Sequence, residues 1–249
     1  MDSVKKNKLK PWLKKQYCIP AEKSAEFVCN MEDVLEVYTR PYDPRRPQIC
    51  MDEGSKQLLA ETRASIPMEK RKPEREDYEY EREGTCSIFV ACEPLAGKRY
   101  LKVTKQRTKK DWAEFMQEVI DVHYPDAEKI ILVMDNLNTH VLSSFYEAFD
   151  APTARRLVEK VEIHYTPKHG SWLNMAEIEL SILARQCLSD RMPSREFVEQ
   201  QVAAWQNERN QVQVTINWRF TTEDARIKLK RLYPSFEAEG DDSRCSNEV

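Results

Sequence analysis

Lys129-Ile130-Ile131-Leu132-Val133-Met134-Asp135-Asn136-Leu137-Asn138-Thr139-His140 is the stretch whose reading decides the fold. Its apolar run has the length of a strand and no polar alternation. Such a run predicts a central strand buried on both faces. The run stops at an acid. From Asp135 to His140, five polar, hydrogen-bonding side chains fall in six positions at the strand's carboxyl end.

Working outward, Pro47–Ser55 reads as a first strand with Asp52 at the end of its apolar part. Residues 56–75 are charged and mixed, a short strand followed by a loop. Gly84–Glu93 and Arg99–Val103 read as two strands joined by the turn Pro94-Leu95-Ala96-Gly97-Lys98, a hairpin signal. Thr108–Tyr124 carries Trp112, Phe115, Met116, Val119 and Ile120 at helical spacing, with Thr108 as cap. Downstream, Val141–Phe149 and Pro152–Glu159 read as helices and Val161–Thr166 as a strand. Leu173–Leu188, Ser194–Asn207 and Thr221–Leu232 read as further helices. A three-stranded meander feeding into alternating helices and strands predicts an α/β fold: a mixed five-stranded sheet flanked by helices. This is also the element order of the RNase H-like fold. Ala21–Tyr38 has the composition of a short helix, but Pro11, Pro20, Pro41, Pro44 and Pro47 surround it. Residues 1–45 are therefore expected to be a basic lead-in outside the core, 46–234 one RNase H-like domain, and 235–249 an acidic, disordered tail.

The chain has 249 residues, 41% apolar and 33% charged, with a net charge of −3. That overall balance does not advertise nucleic-acid binding. Two local stretches are basic: residues 5–15, and 98–110 with Lys102, Lys105, Arg107, Lys109 and Lys110. Either is also what a solvated face looks like. Seven cysteines form no CxxC pair, and the start has no apolar signal region, which predicts a reducing, cytoplasmic location without structural zinc. No stretch approaches the length of a membrane span. With five glycines and no phosphate-cradling motif, nucleotide binding is not expected.

Three acids sit in contexts suited to holding a metal: Asp52, Asp135 and Glu177, the last in His169-Gly170-Ser171-Trp172-Leu173-Asn174-Met175-Ala176-Glu177. Oxygen ligands gathered from distant parts of a chain suit divalent cations, and two such ions are the equipment of phosphoryl transfer. An Asp after an apolar run also reads as a turn residue or helix cap. Glu179 is a rival to Glu177, because helical periodicity does not separate them. Asn136, His140, Lys168, His169 and Asn174 are candidates for supporting the acids or touching DNA; each also reads as a local turn hydrogen bond. Trp172 is either a stacking platform or a core anchor.

Cys50-Met51-Asp52-Glu53, Val133-Met134-Asp135-Asn136-Leu137-Asn138-Thr139-His140 and Tyr165-Thr166-Pro167-Lys168-His169-Gly170-Ser171-Trp172-Leu173-Asn174-Met175-Ala176-Glu177 together resemble the signature blocks of DDE transposases of the mariner superfamily, in its bacterial insertion-sequence branch. The resemblance spans roughly residues 45–232. It implies an RNase H-like fold and Asp52, Asp135 and Glu177, not Glu179, as the metal-holding catalytic triad. It also implies Mg²⁺ or Mn²⁺, two ions, and DNA as partner. The reaction implied is cutting at transposon ends and joining of the 3′-OH to target DNA at TA, with a homodimer in synapsis.

Two departures stand out. The 42 positions from Asp135 to Glu177 exceed the family's usual spacing, and Phe149–Lys160 reads as the insertion responsible. Helix-turn-helix modules normally precede the catalytic domain, whereas only some 45 residues stand before the first strand here. Either an upstream frame encodes that half, or the element has decayed. A non-catalytic fragment that binds DNA or a full-length transposase as a regulator is the rival reading, and a general RNase H-like nuclease a third.

Overall fold

The computed structural model describes residues 24–235 except 65, 74, 76 and 138. The basic run at 5–15 lies outside the described residues, as does nearly all of the acidic tail. β1 (Gln48–Glu61), β2 (Tyr80–Glu93), β3 (Lys98–Thr104), β4 (Ile130–Met134) and β5 (Val161–Tyr165) form one sheet in the order β3-β2-β1-β4-β5. β1 to β3 are an antiparallel meander; β4 pairs with β1 and β5 with β4 in parallel. Every residue of β4 is buried, as its unbroken apolar run requires.

Parallel neighbours cannot be joined by a tight turn, so helices must carry the chain across. α2 (Lys109–Glu118), ending in a π-helical turn at Val119–His123, leads into β4. It begins at a capping box in which Thr108 and Asp111 satisfy each other's backbone N–H groups. α3 (Ser143–Ala148) and α4 (Ala151–Lys160) connect β4 to β5. The segment that reads as an insertion is thus the crossover itself, and Ala154 and Leu157 of α4 are buried in the core. On the opposite face lie α1 (Ala25–Thr39), α5 (Met175–Gln186) and α7 (Thr222–Lys228), while α6 (Arg195–Val212) covers β3.

Two expectations are corrected. α1 is no lead-in outside the core. Phe27, Met31, Val34 and Leu35 recur along one helical face and are buried with Cys50, Val133 and Ala176. Ser24 caps the helix, and the Tyr38 hydroxyl donates to Leu173 O at 2.7 Å. A unit boundary at residue 45 would cut this packing. Secondly, β1 runs to Glu61 and β2 starts at Tyr80, well beyond the expected ends. Their outer halves pair with each other, Glu61 with Tyr80 and Ala60 with Glu81, and β2 is exposed there. Main-chain hydrogen bonds hold such an arm without an apolar pattern, so Glu81-Arg82-Glu83 carries no strand signal. Gly97 closes the β2–β3 turn at φ +65, where a Cβ would collide with Gln213.

Candidate active site

The three acids converge at the carboxyl ends of the two central parallel strands. β1 and β4 pair Gln48 with Ile131, Ile49 with Leu132 and Cys50 with Val133. Carried two residues further, the same register sets Asp52 beside Asp135. The 83 positions between these acids equal the register offset.

Successive strand residues face opposite sides of a sheet. Cys50 packs with α1 and Met51 with α2, so Asp52 lies on the α1–α5 side and Glu53 on the α2 side. Asp52 Oδ1 accepts the Glu53 N–H at 2.8 Å. Asn174, 1% exposed, joins the next element to it. Its Nδ2 donates to Met51 O at 2.9 Å and lies 3.4 Å from Asp52 Oδ2, while its Oδ1 caps α5 through the Ala176 N–H. The Glu177 N–H closes onto Asn174 O at 3.1 Å, so the same asparagine fixes Glu177 in the first turn of α5. Burial, and then the negative charges of Asp135, Glu53 and Glu177, push the Asp52 carboxyl up to about 7 against the pull of the Glu53 N–H. These charges act on Asp52 from its surroundings, while the acids and ring near enough to one another for a single ion are Glu53, Asp135 and His140.

Asp135 is held from the other side. Its Oδ1 lies 2.6 Å from His140 Nδ1, and His140 Nε2 lies 3.0 Å from Glu53 Oε2. Burial alone would lower the imidazole's pKa; the hydrogen bond to Asp135 and the nearby negative charge of Glu53 overcome it and raise it to about 9. The two carboxylates thus favour the protonated ring. Glu53 was not among the candidates read from sequence. The signal was there: a charged residue on the inward phase of an apolar strand.

Glu179 is elsewhere. It is wholly buried between Arg99 of β3 and Arg209 of α6, at 3.0 Å from each. Both its oxygens are engaged by guanidinium groups, which leaves Glu177 as the acid facing Asp52. Trp172 packs edge-on against Phe220 at the rim of the α1 cluster, the core-anchor reading. Asn136, Lys168 and His169 are exposed. His169 stands at φ 64 in the turn closed by Gly170 N–H to Pro167 O, a conformation glycine usually takes. Of the basic candidates, Lys102 pairs with Glu118, Lys109 with Glu147 and Arg107 with Glu53. Lys105 and Lys110 are exposed and form no ion pair among the described residues.

The sequence profile of the DDE superfamily endonucleases matches residues 47–198, from the start of β1 into α6. The chain belongs to this family. Solved structures share its fold. The Mos1 mariner paired-end complex with Mn matches at 15% identity and a TM-score of 0.51, covering 81% of this chain and 62% of that one. The Mos1 paired-end complex with Mg matches at 17% identity and 0.53, covering 89% and 67%. The Mos1 strand transfer complex matches at 14% and 0.52, covering 81% and 62%. This chain thus spans about 62% of the length of the first of these relatives, and the likeness identifies an RNase H-like fold. No curated protein matches. Among the described residues, no helix is long and apolar enough to cross a membrane.

Proposed function

We propose that this DDE-family chain is the catalytic domain of a mariner-type DNA transposase, which cuts at transposon ends and joins the 3′-OH to target DNA. Asp52, Asp135 and Glu177 are its catalytic, metal-holding acids, for two Mg²⁺ or Mn²⁺ ions. The observation that carries this reading is the β1–β4 register that sets Asp52 beside Asp135, with Asn174 tying the first turn of α5, and so Glu177, to the end of β1. Crowded carboxylate oxygens are a donor set that fits hard divalent cations. Such cations, when bound, supply activation of the attacking oxygen and stabilisation of the leaving one in phosphodiester exchange.

The chain's own residues do the rest. Asn174 keeps Asp52 and the first turn of α5 in fixed relation. Asn136, Lys168 and His169 lie at the open end of the strands, where a phosphate backbone would pass. Lys105 and Lys110, with Arg107, track that backbone further out, and phosphate must displace a carboxylate to engage Lys102 or Lys109. That the Mos1 relatives are paired-end and strand transfer complexes supports DNA as partner. A TA target, a homodimer in synapsis, an upstream-encoded helix-turn-helix half and a cytoplasmic location complete the proposal, in which 46–234 is the catalytic domain extended upstream by α1.

Calorimetric titration with Mn²⁺ tests the site. Binding in the wild type, weakened by each of Asp52→Ala, Asp135→Ala and Glu177→Ala in folded protein, is expected, followed by strand transfer with pre-cut ends. Binding indifferent to all three changes would overturn the assignment.

A further inference from the structure

His140 touches two carboxylates through opposite edges of one ring. Nδ1 lies 2.6 Å from Asp135 Oδ1, and Nε2 lies 3.0 Å from Glu53 Oε2. The imidazole and the Glu53 side chain are 1% and 2% exposed; Asp135 is 26% exposed and reaches the open site. Glu53, Asp135 and His140 are near enough together to suggest a cation site of their own. The ring argues otherwise. One ion can take only one imidazole nitrogen, whereas here each nitrogen is committed to a different carboxylate. At Glu53 the contact is close but not aligned as a hydrogen bond, and both atoms are otherwise without a partner. The imidazole spans the two acids as a spacer.

We propose that Glu53 and His140 are positioning residues which tie down Asp135 Oδ1 and so leave its other oxygen, Oδ2, as the one that would hold a divalent cation. This rests on the reading of Asp135 as a metal ligand. The surroundings are built to hold the ring still. The His140 N–H donates to Leu137 O at 2.9 Å, its carbonyl accepts the Tyr165 hydroxyl of β5 at 2.9 Å, and Trp112 of α2 packs alongside. Glu53 is fixed by its place in β1, and Arg107 stands 3.5 Å from its other oxygen. The pair therefore transmits the geometry of β1 and α2 to an acid that hangs just past the end of β4. Partners that orient a ligand in this way typically matter about 10–100-fold in metal affinity.

The test exploits the two edges of the ring. Asparagine at 140 places its amide near the former Nδ1 and keeps a donor for Asp135; glutamine places it near Nε2 and keeps a donor for Glu53 only. Mn²⁺ affinity of the full chain is measured by calorimetry, with thermal melts in chelator reporting folding. Expected is a loss of at least about 10-fold in His140→Gln, with His140→Asn within a few-fold of wild type. Glu53→Gln, which leaves Asp135 and His140 untouched, should weaken Mn²⁺ by several-fold and stands in if His140→Gln does not fold. Wild-type affinity in His140→Gln or in Glu53→Gln, beside a lost site in Asp135→Asn, overturns the positioning role while leaving the triad intact. Undiminished Mn²⁺ binding in Asp135→Asn would instead remove the triad reading itself. Should the chain alone take up no Mn²⁺, the imidazole N–H resonances decide. A slowly exchanging Nδ1–H that moves in both Asp135→Asn and Glu53→Gln supports the pair, and its absence overturns it.

Discussion

Asp52 pays for its neighbours in stability when no cation is present. A carboxyl raised to about 7 in the folded chain is ionised in the unfolded chain from its ordinary range near 4 upward. Between those values the folded state holds a proton the unfolded state has lost. Stability from this group is therefore greatest below about pH 4, falls as pH rises from about 4 to about 7, and stays at its lowest above that. Asp52→Asn mimics the protonated form. In urea melts with chelator it should be more stable than wild type by about 3–4 kcal/mol at pH 8 and nearly equal at pH 3. An identical difference at both pH values would sink this account. Two glutamates two positions apart should behave oppositely. Glu179→Gln strands the guanidinium groups of Arg99 and Arg209 in the interior and should cost about 3–5 kcal/mol. Glu177→Gln leaves both interior arginines paired and should cost clearly less in thermal stability. Comparable losses would contradict the assignment. Helical periodicity could not separate these residues because α5 is packed on more than one side. What distinguishes them is the arrival of arginines from β3 and α6, which no local window contains.

At the scale of elements, the central strand and the crossovers were legible because burial on both faces leaves an unbroken apolar run. The beaded charges of the β1–β2 arm were not, since what holds them is main-chain pairing and Arg191, which reaches Glu61 and the Tyr80 ring from far along the chain. α1 was misread for a different reason: its apolar spacing was in the sequence, but its partners, β5 and α7, lie far along the chain. Polar straps complete that docking. Glu162 of β5 meets Arg40 and Arg46 at 2.8 and 2.9 Å, and His164 meets Asp33 of α1 at 2.7 Å. The Arg40 hydrogen bond, against burial and aided by His164, holds the Glu162 carboxyl down to about 2. A depressed carboxyl stabilises above its unfolded value and loses that contribution as pH falls from about 4.5 to about 2. Discounted for its partial exposure, the strap is worth about 1–2 kcal/mol. Glu162→Gln should lose that amount at pH 7 and match wild type near pH 2 in denaturant titrations. It should also speed amide exchange in α1. Unchanged exchange at pH 7 would mean the apolar face alone docks the helix.

For the whole molecule, a single register offset between β1 and β4 turns two acids 83 positions apart into neighbours, and Asn174 brings the third by tying α5 to β1. Motif blocks could point to the acids, but only the sheet explains why those blocks meet. The basic stretch after β3 extends from the same end, and its charges are not equivalent. Lys102 already has a carboxylate partner in Glu118, whereas Lys105 and Lys110 face solvent. Engaging DNA through an exposed lysine releases counterions from the phosphates, which makes affinity fall steeply with salt. Lys105→Ala and Lys110→Ala should each weaken binding to a DNA duplex and reduce the slope of log affinity against log salt by about 1. Removing Lys102 and Glu118 together deletes a neutral pair, so that double change should leave the slope nearly as it was. Fluorescence anisotropy across about 50–200 mM salt reads both effects. A slope unaltered by either exposed lysine would place the DNA path on another face of the sheet.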